Sequence, residues 1–317
     1  MFALEINNLT KDYTVGFWKK RPVRALSELN LQVGMGESFG FLGPNGAGKT
    51  TTLKILMRLI YPTTGEAKIL GCPLDDMQMR ARIGYLPEQP YFYDYLTARE
   101  LLVYCAKIFG LNKADTLKRT DELLKRVGLF EAADKQLRKY SKGMLQRAGL
   151  AQALINDPEV LFLDEPMSGL DPLGRREVRD LIASLREQGK TVFFSSHVLS
   201  DVEALCDRVA IMNKGCLIES GKLSDILKSH TNEMEVVVTG VDEATLNELR
   251  VFATQIVPAP EGAHVRVQND KEIESVLSLV HRAGGRLISV NPVRESLEDL
   301  FVREISENTK VAKQAAS

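Results

Sequence analysis

Apolar residues change their spacing along the chain in a way that divides it into blocks. Residues 1 to about 90 set short apolar runs between Gly-rich punctuation, which predicts short strands and turns. One helix, Thr51 to Leu59, follows a glycine cluster that itself follows the apolar run Ser38 to Leu42. From 91 to about 157 strand-like alternation disappears and helical spacing takes over, as in Leu101, Leu102, Cys105 and Ile108 and again in Leu145, Leu150, Ala151 and Leu154. This predicts a helical insert. Two unbroken apolar runs follow, Val160 to Leu163 and Val192 to Phe194, separated by a helical stretch from Leu173 to Gln188. Strands buried on both faces and joined by a crossover helix read this way.

Past residue 230 the pattern changes again. Met234 to Thr239 and Leu287 to Val290 read as strands, His264 to Val267 alternates, and Ile273, Val276, Leu277 and Val280 keep helical spacing. Ser296, with Asp299 three residues on, is the predicted cap of a helix carrying Leu297, Leu300 and Phe301. The expected organisation is an α/β domain over 1–228 with a helical subdomain at about 91–157, a small α+β domain over 229–305, and a flexible tail over 306–317.

Composition narrows the class of protein. Of 317 residues, 44% are hydrophobic, and 41 Lys+Arg against 42 Asp+Glu leave a net charge of −1, which excludes a mainly disordered chain and gives no support for nonspecific nucleic-acid binding. No charge-free stretch approaches the roughly 20 residues of a spanning helix, and the N-terminus lacks the pattern of a signal peptide, so a cytoplasmic location is expected. Cys72, Cys105, Cys206 and Cys216 are scattered without paired spacing and are expected to be small buried apolar groups.

The chemistry begins at Gly43-Pro44-Asn45-Gly46-Ala47-Gly48-Lys49-Thr50, followed by Thr51. It fits the pattern of a phosphate-binding loop and stands between a strand and a helix, the setting such a loop requires. Backbone N–H groups and the helix N-terminus would face phosphates, Lys49 would reach the terminal ones, and Thr50 would offer its hydroxyl to Mg²⁺. An ATP site with Mg²⁺ is the expectation. The run Val160 to Leu163 ends in Asp164-Glu165. Strand alternation points these acids opposite ways: Asp164 toward the metal through its water shell, Glu165 toward a water whose proton it could accept. His197 follows the apolar run ending at Phe194 and is expected at the same edge of the sheet, where it could orient that water.

With these pieces in order the chain resembles an ATP-binding cassette ATPase, an α/β P-loop fold with a helical insert. Tyr140-Ser141-Lys142-Gly143-Met144-Leu145-Gln146 is similar to the LSGGQ signature of that family, keeping the serine and the second glycine. As a capped helix start, it is a second anion surface. The resemblance implies that Ser141, Lys142, Gly143 and Met144 of one copy meet the ATP held by another in a head-to-tail dimer. It further implies that Tyr13 stacks on adenine and that Ser168-Gly169-Leu170-Asp171 is the loop crossing the dimer interface.

One departure stands out. In Gly84-Tyr85-Leu86-Pro87-Glu88-Gln89, the family's metal-contacting glutamine would follow the proline, and here Glu88 does. Either Gln89 substitutes by a one-residue slip or a carboxylate sits near the metal. The aromatic run Tyr91 to Tyr95 is an expected interface, in the neighbourhood where the family receives its membrane subunit. Phe17-Trp18-Lys19-Lys20-Arg21 reads as a loop with a pattern suited to a membrane surface.

Residues 230–305 resemble the C-terminal extension of ABC-2-type exporter ATPases, with Glu295 to Phe301 as a recurring ending. The function so implied is an ATPase subunit on the inner face of the membrane, driving a separate permease toward export. The alternative is a soluble ATP switch acting on nucleic acid, ribosomes or signalling partners. A small-molecule kinase would leave Ser141, Asp171 and His197 without roles.

Overall fold

Strands β3 (Ser38–Leu42), β7 (Val160–Asp164) and β8 (Thr191–Ser196) lie side by side with every residue buried, the apolar runs at their centres together with the polar residues at their ends. In the computed structural model, residues 2–16, 20–228, 233–259 and 262–292 are described. The chain divides into two units, Met1–Leu223 and Ser224–Ser317.

The first unit runs in chain order β1 (Phe2–Val15), β2 (Arg21–Gly34), β3, α1 (Lys49–Leu56), β4 (Thr64–Ile69), β5 (Cys72–Pro73), α2 (Met77–Arg80) and β6 (Ile83–Leu86). It continues through α3 (Ala98–Ile108), α4 (Lys113–Arg126), α5 (Lys142–Ala153), β7, α6 (Pro172–Glu187), β8, α7 (Leu199–Leu205), β9 (Arg208–Asn213) and β10 (Cys216–Lys222). A six-stranded sheet has the order β10-β9-β3-β8-β7-β6 and is parallel except for β10. Phe193 of β8 stacks on Phe39 at 5.6 Å, with Phe41 and Phe162 tilted against the same ring, and these aromatics fix the centre of the core. β3, β6, β7 and β8 all end at the same edge.

A four-stranded antiparallel sheet, β2-β1-β4-β5, completes the core. Its strands β1 and β2 have 14 residues each, longer than the short strands predicted, because register shifts along their pairing let the two stay joined through several bends. The insert is helical: Thr97 and Glu100 form a reciprocal capping box at α3, Asn112 caps α4, and Ser141 caps α5. α1 begins two residues before the predicted start and stops three before the predicted end. Gly48, at φ 105, turns the loop straight into Lys49, and a Cβ there would lie 2.7 Å from the Ala25 carbonyl oxygen; beyond Leu56 the chain leaves the helix, with Arg58 at φ 59.

The cysteine expectation holds only in part. Cys105 is buried, Cys72 and Cys206 are half-buried, and Cys216 is exposed because it opens the edge strand β10. Trp18 with its neighbours Phe17 and Lys19, His230, the predicted helix from Ser296 and the tail over 306–317 lie outside the described residues.

α8 (Leu223–Lys228) leads into the second unit. There, β11 (Met234–Thr239), α9 (Glu243–Leu249), β12 (Gln255–Ala259), β13 (Gly262–Val267), α10 (Asp270–Arg282) and β14 (Arg286–Pro292) follow one another. The sheet order is β12-β13-β11-β14, all antiparallel, a split βαβ arrangement. Val236, Val238, Val265, Val267, Val276 and Val280 form its core.

Candidate functional site

The residues that the sequence marks as chemical converge because their strands end together. A cleft of about 580 Å³ opens at that edge, lined by Pro44 through Thr51 of the loop after β3, Glu88 after β6, Glu165 and Ser168 after β7, and His197 after β8.

Lys49 is buried, and its Nζ donates to the Gly43 carbonyl at 2.6 Å and to that of Pro44 at 3.4 Å, so the loop holds its own cation. The same nitrogen lies 3.5 Å from Oε1 of Glu165. The other oxygen of Glu165, Oε2, meets Nδ1 of His197 at 2.8 Å. One buried carboxylate thus joins the phosphate loop to the histidine. Glu165 adopts φ 49, a left-handed conformation that an L side chain occupies at a cost of about 1–3 kcal/mol, at the end of β7.

Ser195 fixes both acids. Its hydroxyl donates to Oδ1 of Asp164 at 2.6 Å and accepts from the backbone N–H of Glu165 at 3.0 Å. Asp164 is fully buried, and burial pushes its carboxyl above the usual range; Ser195 and the nearby Thr50 hydroxyl favour the charged form, while Glu88 and Glu165 oppose it. Its second oxygen, Oδ2, has no hydrogen-bond partner among the described residues. A buried carboxylate oxygen left without a donor, beside a hydroxyl and below a phosphate loop, is the donor set a hard divalent cation takes up. Asp164 and Thr50 therefore fit Mg²⁺.

Glu88 lines the cleft and Gln89 does not, although both are exposed, which favours Glu88 at the metal-facing position. Tyr13 stands outside the cleft lining on β1, its ring 36% exposed with the Lys11 ammonium 5.2 Å from the ring centre.

The signature segment lies apart from the cleft. Ser141 caps α5 by accepting from the Met144 N–H at 3.2 Å, Lys142 and Ser141 are exposed, and Met144 is half-buried. The Lys142 stem crosses Gly169 so closely that a Cβ there would lie 2.6 Å from it, and Leu170 packs over Gly143. Asp171 caps α6 by accepting from Gly174 at 2.9 Å. Ser168 alone of this loop reaches the cleft.

Three contributors have no role from sequence alone. Ser195 is one. Ala25 of β2 also lines the cleft. Gln146, 1% exposed on α5, donates to the carbonyls of Glu165 and Pro166 at 3.4 and 3.2 Å, tying the signature helix to the backbone that presents the acid. A buried amide two residues past Met144 was the available signal.

Chemically, the arrangement restrains the Glu165 carboxylate from two sides, and it could hold phosphates against a preformed cation and present that carboxylate to an attacking water. Comparison with known proteins shows the family. The sequence profile described as ABC transporter matches residues 26–168. An uncharacterized ABC transporter ATP-binding protein of Synechocystis sp. is 48% identical over 307 residues, 96% of this chain and 85% of that protein. The bacitracin transport ATP-binding protein BcrA of Bacillus licheniformis is 38% identical over 290 residues, 90% of this chain and 94% of its own length. Among solved structures, the dimeric post-hydrolysis state of the ATP-binding cassette MJ0796 bound to ADP and Pi superposes with a TM-score of 0.64 at 29% identity, covering 69% of this chain and 98% of that one.

Proposed function

The chain belongs to the ABC transporter ATP-binding proteins and is the ATP-hydrolysing subunit of such a transporter, and we propose that two copies close head to tail around ATP to drive a separate membrane permease in export. What supports this reading most is the meeting of Lys49, Glu165 and His197 in the phosphate cleft.

In the proposed cycle, the loop N–H groups and Lys49 hold the β- and γ-phosphates, and Tyr13 stacks on the adenine. Thr50 and Asp164, the latter through water, would hold Mg²⁺, which when bound neutralises charge building on the transferred phosphoryl group. Glu165 accepts the proton of the attacking water, and His197 keeps the Glu165 carboxylate aimed and contacts the γ-phosphate. Ser141, Lys142, Gly143 and Met144 of the second copy close over the nucleotide, and Ser168 to Asp171 cross between the copies.

No described helix is long and apolar enough to cross a membrane, and in the proposed assembly the membrane path belongs to another protein. Tyr91, Tyr93 and Tyr95 are exposed, Tyr91 almost completely, and offer the permease an aromatic face at the inner surface of the membrane. Export is supported by the likeness to BcrA, a bacitracin transport protein. Affinity purification from gently solubilised membranes, with mass spectrometry, tests the assembly: a multi-span partner in near-equal amount is expected. Recovery of soluble partners alone, with the chain absent from membranes, would replace this reading with that of a soluble ATP switch.

A further inference from the structure

A second cleft, of about 420 Å³, shares no lining residue with the phosphate cleft. It lies where the end of α4, the middle of α5 and the outer face of α6 meet, and its size falls within the range of small-molecule sites. The walls are apolar where they are deepest: Leu150, Val178 and Leu181 are all buried.

Arg126 gives this cleft its chemistry. Its guanidinium donates to the Ser184 hydroxyl at 2.8 Å and, among the described residues, has no carboxylate within ion-pair distance. Burial lowers its pKa, and the nearby Arg119 charge adds to that, against a smaller opposing effect from Asp157. A half-buried guanidinium of this kind is short of an anion. Arg147, in contrast, is already engaged by Glu177 at 3.2 Å. Over the whole lining, three cations, counting Lys125, stand against Glu177 and Asp180, an excess of one positive charge. One negative charge balances that excess, and two would overshoot it.

We propose that this cleft binds a small organic monocarboxylate with an apolar body, its carboxylate forked by Arg126 and its body laid on Leu150, Val178 and Leu181. Such a ligand touches the helical insert through α4 and α5 and the sheet domain through α6, so its occupancy ties the two together. A phosphate dianion suits the site less well, because Glu177 and Asp180 oppose the second charge.

The test is a titration of the full chain with 4-(trifluoromethyl)benzoate, followed by its fluorine NMR signal, with excess ADP present so that the phosphate loop does not capture the probe. Saturable binding is expected, weakened about tenfold or more in Arg126→Gln, where the charge-assisted fork is lost. Asp180→Asn, a change at an exposed side chain, is expected to tighten binding a few-fold by removing a like charge. The uncharged 4-(trifluoromethyl)benzamide is expected not to compete. Absence of binding to the unaltered chain, equal binding to Arg126→Gln, or no gain in Asp180→Asn would each overturn the proposal. The charge-reversed result, tighter binding of phenyl phosphate than of the benzoate, would overturn the monocarboxylate assignment.

Discussion

Nδ1 of His197 lies 2.8 Å from Oε2 of Glu165, and the opposite oxygen of the same carboxylate lies 3.5 Å from Nζ of Lys49. Glu165 is therefore held at both ends, by one group that senses phosphate and one that follows the next strand. Removing either partner should leave the acid in place chemically yet poorly aimed, and removing the acid should spare nucleotide binding.

Glu165→Gln is the direct case. The amide keeps the volume and cannot accept the water's proton, so phosphate release should fall by about 10²–10⁴-fold, the usual scale for a general base. ATP binding should survive, and size-exclusion chromatography with ATP should show a persistent dimer. Unchanged turnover would remove Glu165 from the role.

His197→Ala leaves Glu165 anchored on one side only. The rate constant should drop by roughly 10–100-fold, while the ATP concentration for half-saturation changes less, because the loop N–H groups and Lys49 still hold the phosphates when the contact that aims the base is lost. Steady-state kinetics separates the two quantities.

Asp164 is buried, raised in pKa, and has one oxygen without a partner among the described residues. A charge in that position opposes folding, so Asp164→Asn should raise the melting temperature of the nucleotide-free protein by about 2–4 °C, the shift that about 1 kcal/mol produces in a unit of this size. The same variant should lose most of the extra stabilisation that Mg²⁺ adds to ATP. Differential scanning calorimetry with ATP, with and without Mg²⁺, measures both.

Glu88 puts a carboxylate on the cleft wall where it also acts on Asp164. If Glu88 faces the metal as proposed, it would repel the triphosphate without a divalent cation and would help to hold the metal with one. In Glu88→Gln, ATP affinity in EDTA should rise by about fivefold while affinity in Mg²⁺ changes less, as expected when one exposed like charge at short range is removed. Gln89→Ala should change neither value. Equilibrium nucleotide binding under both conditions decides it.

The sheet strands and the phosphate loop could be read directly, because an unbroken apolar run and a glycine-rich turn are both local consequences of burial and of backbone freedom. The convergence of Lys49, Glu165 and His197 follows from parallel strands ending at one edge. Strand lengths in β1 and β2 could not be read this way, since their bends interrupt the alternation on which such a reading depends. Ser195 and Gln146 were hidden for another reason. A serine at a strand end and a glutamine in a helix are ordinary residues until the neighbouring chain brings a carboxylate or two carbonyls within reach. Between Glu88 and Gln89, sequence left two registers open, and the lining of the cleft by Glu88 favours the first.

The left-handed backbone of Glu165 sets conformation against chemistry at a single position. Glycine would occupy φ 49 without penalty, and asparagine with little, so a library of variants screened for thermal tolerance alone should enrich Glu165→Gly and Glu165→Asn. Both would be well-folded, inert cassettes. Persistence of the acid at that position among functional sequences would then record selection for turnover, acting against the preference of the main chain itself.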